Sequence, residues 1–245
     1  MARCKPRPAA KPSTDVNQAR LSNLRPYVRI HDSGNDSTGP AIAATTALET
    51  YLACRGHQVS LSARFVHEQA RRLSRLKQGY SYDALVRALE TYGACPESAW
   101  PYVPGESALP NGTTLAQLTK LAKPYRARLW RIRSTGEIAA ALESQYPVLA
   151  GIEIDVAFDT AMSNGGTIKA STNHDQTVRG ATLITLVDFD PIRKLLCFAT
   201  TWGPKAGDGG FGSMTVSAAE VMLIPNQIWA LSLHSAPGNE AFKWE

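Results

Sequence analysis

No stretch of the 245 residues is long and apolar enough to span a bilayer, and no apolar run follows the positive charges at the front of the chain. The first absence excludes a membrane-spanning helix, and the second argues against a secretory signal and for a cytoplasmic protein. Cysteine is scarce: Cys4, Cys54, Cys95 and Cys197 form no CxxC pair and no Cys/His pattern of zinc-ligand spacing. Neither a metal nor a cofactor is therefore expected, and the thiols read as free groups in a reducing compartment. No internal repeat is visible, which excludes solenoids and arrays. Charge is modest too, at 19% Asp, Glu, Lys and Arg with a formal net of +5. Much of that excess lies in Arg3, Lys5, Arg7 and Lys11. Residues 1–22 read as a basic Pro/Ala-rich arm without aromatic interleaving, so nucleic acid is not the expected partner.

What is present is ordinary globular composition, 44% hydrophobic, enough for one large core or two packed halves. Residues 40–55 predict an Ala-rich helix, apolar on nearly every side and hence buried, with Pro40 in its first turn and Gly56 beyond its end. Thr38-Gly39-Pro40 reads as the cap of that helix. Further helices are expected at 63–74, 81–92 and 135–144, and strands at 128–132, 147–154, 182–188 and 195–201. Helices come first and strands later, an α+β order.

Several phrases resemble, in order, those of bacterial papain-like cysteine peptidases. Asp32-Ser33-Gly34 followed by Ala41 to Glu49 resembles the turn and buried helix that open the family's fold. Leu61-Ser62 resembles the start of its second helix, and Gly79-Tyr80 before Asp83-Ala84-Leu85 resembles the glycine facing the substrate backbone. Tyr92 to Tyr102, reading YGACPESAWPY, is the most specific match. Pro147-Val148, Gly165-Gly166-Thr167-Ile168, Thr201-Trp202-Gly203 and Gly209-Gly210-Phe211-Gly212 follow, so that the likeness spans residues 23 to 231. It implies a helical left half over about 23–125, an antiparallel, barrel-like sheet over about 126–245, and a groove between them for an extended peptide. Gly39, Gly79, Tyr80, Gly165, Gly166 and Trp202 would line that groove.

The same registers carry the family's chemistry onto residues that cannot perform it. Gly39 falls on the nucleophilic Cys, Ser33 on the oxyanion Gln, Thr182 on the His and Thr200 on the Asn that orients it. Slipping the register restores nothing, because residues 31–45 contain no Cys and residues 176–190 no His. Such peptidases need a thiolate at a helix N-terminus paired with an imidazole. The resemblance thus implies a pseudopeptidase that binds a peptide or protein segment in a regulatory or scaffolding role. The alternative is a hydrolase or acyltransferase rebuilt around Ser37 or Thr38, with His174 as its base. His57, His67 and His234 read as solvated surface groups.

Overall fold

The computed structural model describes residues 22–34, 36–169 and 178–234. Within them, β1 (Ser22–Asn23) leads to α1 (Gly39–Ala53), α2 (Ala63–Leu73), α3 (Tyr82–Thr91) and α4 (Leu115–Ala122). The chain then alternates through β2 (Ala127–Arg131), α5 (Thr135–Glu143), β3 (Val148–Ile154), α6 (Val156–Asn164) and β4 (Thr167–Ile168). It closes with β5 (Gly180–Asp190), β6 (Leu195–Ala199), β7 (Phe211–Thr215), α7 (Val216–Met222) and β8 (Leu223–Leu233). The architecture is α+β, with one open sheet in the order β2-β8-β3-β5-β6-β7-β4 and β1 attached to β5. Pairing is antiparallel except for β4 against β7.

Alternation along the strands explains how a single sheet serves two cores. Leu149, Leu183, Trp229 and Leu231 face α1, α2 and α3. Val148, Ala150, Ile152, Ile184 and Leu186 face the opposite core, built with α5, α6 and α7. The β5–β6 register shifts between Leu186 and Asp188, and this irregularity lets Val187 join Leu186 in the second core. The turn into β6 is held by Asp190, whose Oδ1 accepts the N–H groups of Ile192 and Arg193, each at 2.9 Å.

α1 is the axis of the molecule. Every one of its residues except Pro40 is buried. A helix apolar on all sides must be covered on all sides, and here the sheet and the α2–α3 pair do so. The Thr185 hydroxyl on β5 donates to the Ala43 carbonyl at 2.8 Å, a buried bond joining sheet to helix. Ser62 and Ser81 cap α2 and α3, accepting from Phe65 N and Ala84 N.

Two boundaries differ from the sequence reading. β1 and Leu24, placed in the left half, pair with β5 and pack in the sheet-side core. β8, the long strand between β2 and β3, was not anticipated; Pro225 and Asn226 interrupt its apolar pattern and mask it. Among the described residues no helix is long and apolar enough to cross a membrane. His174 and Cys4 lie outside the described residues.

Candidate functional site

The site is assembled where two separate segments meet the start of α1. Residues 31–33 run antiparallel to 201–203: Asp32 bridges Trp202, Ser33 N donates to the Thr201 carbonyl at 2.8 Å, and Gly203 N donates to the His31 carbonyl at 3.2 Å. Gly203 has φ +78°, and a Cβ there would come within 2.6 Å of Asp32 Oδ2, so the close crossing requires glycine. Just beyond this crossing the chain turns into α1 at Gly39.

Gly39 carries no side chain, but the direction a Cβ would take is well defined. It points at three hydroxyl oxygens: Thr201 Oγ1 at 3.2 Å, Thr182 Oγ1 at 3.8 Å and Ser33 Oγ at 3.9 Å. Ser33, Gly39 and Thr182, singled out from the sequence, are therefore brought together around one point. Thr200 is not part of that group. Its Oγ1 accepts from Trp202 N at 3.3 Å within its own turn, and the neighbouring Thr201 takes the place beside Gly39. Successive residues of an extended segment point to opposite sides, so Thr200 and Thr201 face different surroundings.

The capping expected of Thr38 is not observed. Thr38 occupies the N-cap position but has helical backbone angles, φ −78° and ψ −5°, and makes no side-chain cap. Its fully buried hydroxyl instead donates to Tyr102 Oη at 2.8 Å, and Tyr102 donates to the Ser33 carbonyl at 2.9 Å. This relay ties the YGACPESAWPY segment to the turn before α1. Ser37 is exposed.

The role vacated by Thr38 falls partly to Tyr80. Burial pushes the Tyr80 phenol well above its ordinary pKa, while a hydrogen bond from the Ala41 backbone N–H, in the first turn of α1, acts in the opposite sense. The Tyr80 hydroxyl is also hydrogen-bonded to His67 Nδ1, 3.2 Å away. His67 is not a solvated surface group: it is 4% exposed, packed edge-on to Tyr80, and burial with the nearby Arg64 guanidinium pushes its pKa down to about 4. Arg64 is itself buried and pairs with Asp36 at 2.8 Å. Burial would raise the Asp36 carboxyl, but the Gly105 N–H and Arg64 hold it below its usual value. His31 pairs with buried Glu49 at 3.0 Å, and Glu49 also accepts Leu61 N at 2.7 Å. Tyr102, Arg64 and His67 were missed as site residues because nothing in their local spacing shows that three distant segments converge on the start of α1.

The remaining groove candidates are more dispersed. Trp202 adjoins Thr201 and meets Phe158 edge-on, with ring centroids 5.0 Å apart. Gly79 precedes Tyr80 with φ +68° and open space around its Cβ direction. It lines a basic-edged depression with Arg71, Arg72 and Lys77. Gly165 and Gly166 are not brought to Gly39. They line a separate pocket of about 90 Å³ with Arg25, Cys197 and Asp208, near β7 and β4 at one end of the sheet. Cys54, Cys95 and Cys197 are free, and burial raises all three pKa values, Cys95 to about 12 and Cys197 to about 11. Among the described residues no group of three His, Cys, Asp or Glu could hold a metal.

No family model matches the chain. No curated sequence matches it either. Solved structures do. Xylellain, a cysteine protease from Xylella fastidiosa, superposes with a TM-score of 0.71 at 18% identity over 86% of this chain and 85% of that one. Digestive procathepsin L 3 from Tenebrio molitor gives 0.67 at 19% identity, covering 90% and 72%. Bromelain from Ananas comosus gives 0.62 at 16% identity, covering 86% and 96%. The likeness is one of fold, and the fold is that of the papain-like cysteine proteases.

Proposed function

We propose that this chain is a non-catalytic papain-like protein that holds an extended peptide or protein segment in the cleft at the start of α1, with a regulatory or scaffolding outcome. The observation that carries the reading is Gly39. It opens the central helix, where a nucleophile would gain from the helix dipole, yet it offers no side-chain atom. The nearest side-chain atoms facing it are three hydroxyl oxygens, with neither sulfur nor imidazole among them. The described thiols do not substitute: burial keeps them protonated, and a protonated thiol is a poor nucleophile.

The rebuilt Ser/Thr hydrolase remains the alternative, and its expected base, His174, lies outside the described residues. The Thr38 hydroxyl is committed to Tyr102, and neither Ser37 nor Thr38 is hydrogen-bonded to a histidine among the described residues. A general base must lie within hydrogen-bonding reach of its nucleophile. Peptide binding is supported by the likeness in fold to cysteine proteases, whose substrates are peptides.

The test is photo-cross-linking of the full chain to a peptide library carrying benzoyl-phenylalanine, with attachment sites mapped by mass spectrometry. Attachment concentrated at Ser33–Pro40 and Thr200–Gly203 is expected. Attachment confined to the basic arm or to the outer sheet edge would contradict the reading.

A further inference from the structure

We infer that the basic depression at the end of α2 docks an acidic stretch of the occupying segment, whose Asp and Glu side chains pair with Arg71, Arg72 and Lys77. The inference rests on the peptide-binding reading and deepens it by naming the charge of the partner. Arg71, Arg72, Arg75 and Lys77 follow closely in the chain, and all four are exposed. Arg87 on α3 adds a further cation, its guanidinium donating to the Leu73 carbonyl at 3.5 Å. Glu68 is the one acidic residue lining the depression, and it meets Arg71 at 3.4 Å. Asp83, at the start of α3, is taken by Arg131 at 2.8 Å. Arg72, Arg75 and Lys77 have no carboxylate partner among the described residues.

Arg71 and Arg72, in the last turn of α2, complement the helix dipole, a local role that Arg75 and Lys77 beyond the helix end do not share. Cations spread over a convex face are simply solvated. Here Arg71, Arg72 and Lys77 converge on one depression of about 260 Å³, and a concave surface lined by one sign of charge focuses its field. Guanidinium groups pair with carboxylates through two parallel N–H donors. Leu76, 58% exposed, gives the same depression an apolar wall against which the partner's own side chains pack. Nucleic acid calls for aromatic faces to stack its bases or for a long basic stripe. No aromatic ring lines this depression, and the basic run is confined to one helix end. A bilayer surface is flat and does not enter a depression. An acidic protein segment is the partner that fits.

Position ties the depression to the cleft. Its wall ends at Gly79, where φ of +68° and open space in the Cβ direction leave the backbone bare. The next residue, Tyr80, accepts the Ala41 N–H in the first turn of α1. The chain thus runs directly from the cations to the helix start beside which the segment is held. An extended segment that leaves the cleft past Gly79 meets Lys77, Arg72 and Arg71 next.

Two immobilised dodecapeptide libraries test the inference, one containing Asp and Glu and the other Asn and Gln in their place, both without Lys or Arg. The readout is retention of the full chain at low ionic strength. The acidic library is expected to retain at least about tenfold more protein than the neutral one, a preference that falls as salt is added. The double variant Arg72→Glu/Lys77→Glu should lose that preference while keeping its retention on the neutral library and its melting temperature, because both side chains are exposed. Lys120→Glu/Lys123→Glu changes the net charge equally outside the depression and should leave the preference intact. Equal retention on both libraries, above that of the bare support, overturns the charge inference and leaves the peptide-binding reading standing. Retention on neither overturns both. A preference that survives in Arg72→Glu/Lys77→Glu, or is lost alike in the two double variants, overturns the assignment to this depression. A single-stranded DNA oligonucleotide or phosphatidylserine vesicles that bind more tightly than the acidic peptides, and lose that binding in Arg72→Glu/Lys77→Glu, overturn the assignment to an acidic protein segment.

Discussion

Lowering the pH should weaken the protein through His67, and the size of the effect follows from its surroundings. The imidazole is buried beneath Tyr80 and beside Arg64, which together with burial holds its pKa at about 4 in the folded chain. In the unfolded chain it returns to about 6.5. The unfolded state therefore binds more protons between about pH 6.5 and 4, and stability must rise with pH across that window. The contribution is fully present above about pH 6.5 and is lost as the pH falls toward 4. Integrating that difference from about pH 7.5 to 5 gives a loss of about 2 kcal/mol. For a chain of this size that corresponds to a fall of roughly 4–8 °C in melting temperature.

Other groups titrate in the same range, so the assay compares wild type with His67→Gln. Glutamine does not titrate and still offers an oxygen to the Tyr80 hydroxyl. Thermal melts at both pH values should show the wild type losing about 2 kcal/mol more than the variant. Because Tyr80 links His67 to the first turn of α1, the same acidification should loosen the helix start, seen as faster amide exchange at Ala41 and Ile42. Parallel pH profiles for the two proteins would refute the reasoning, since His67 would then titrate alike in folded and unfolded chains.

Other perturbations test neighbouring parts of the account. Thr185→Val removes the buried hydrogen bond from β5 to the Ala43 carbonyl and should cost about 1 kcal/mol in chemical denaturation, with cleft binding unchanged. Gly39→Ala places a Cβ 3.2 Å from Thr201 Oγ1, a tight contact that a small shift relieves, so it should fold. Gly39→Trp cannot be accommodated in that buried corner and should destabilise by about 1–3 kcal/mol or more in the same assay. Tyr80→Phe leaves the Ala41 N–H without its acceptor and should cost about 1–2 kcal/mol, of the order of a lost helix cap.

The central helix and the strands around Thr182 and Leu195 were legible in the sequence because their signals are local. An Ala-rich run with Pro near its start and Gly beyond its end, and branched apolar runs separated by Asp190-Pro191, need no distant context. β8 was not legible, since its outer turns carry Pro225, Asn226 and Gln227 and only its inner part reads as a strand. The resemblance placed Ser33, Gly39 and Thr182, which the fold gathers around one point. Thr200, matched to the residue that would orient the His, accepts from Trp202 N within its own turn. Gly165 and Gly166 illustrate another limit: a motif matched in order says nothing of how many strands separate it from the cleft. The relay from Thr38 through Tyr102 to Ser33, and the buried His67, arise from segments that are far apart in sequence and touch only in the folded chain.

The most direct test of the account is to incubate the purified full chain with a proteome-derived peptide library and analyse the mixture by mass spectrometry, reading both the peptides retained and any new termini. Peptides retained intact, with no termini beyond those of a buffer control, are the predicted result. New termini that accumulate with protein concentration and vanish in Thr201→Val or Thr38→Ala would contradict the central claim, by showing that the hydroxyl groups around Gly39 do chemistry.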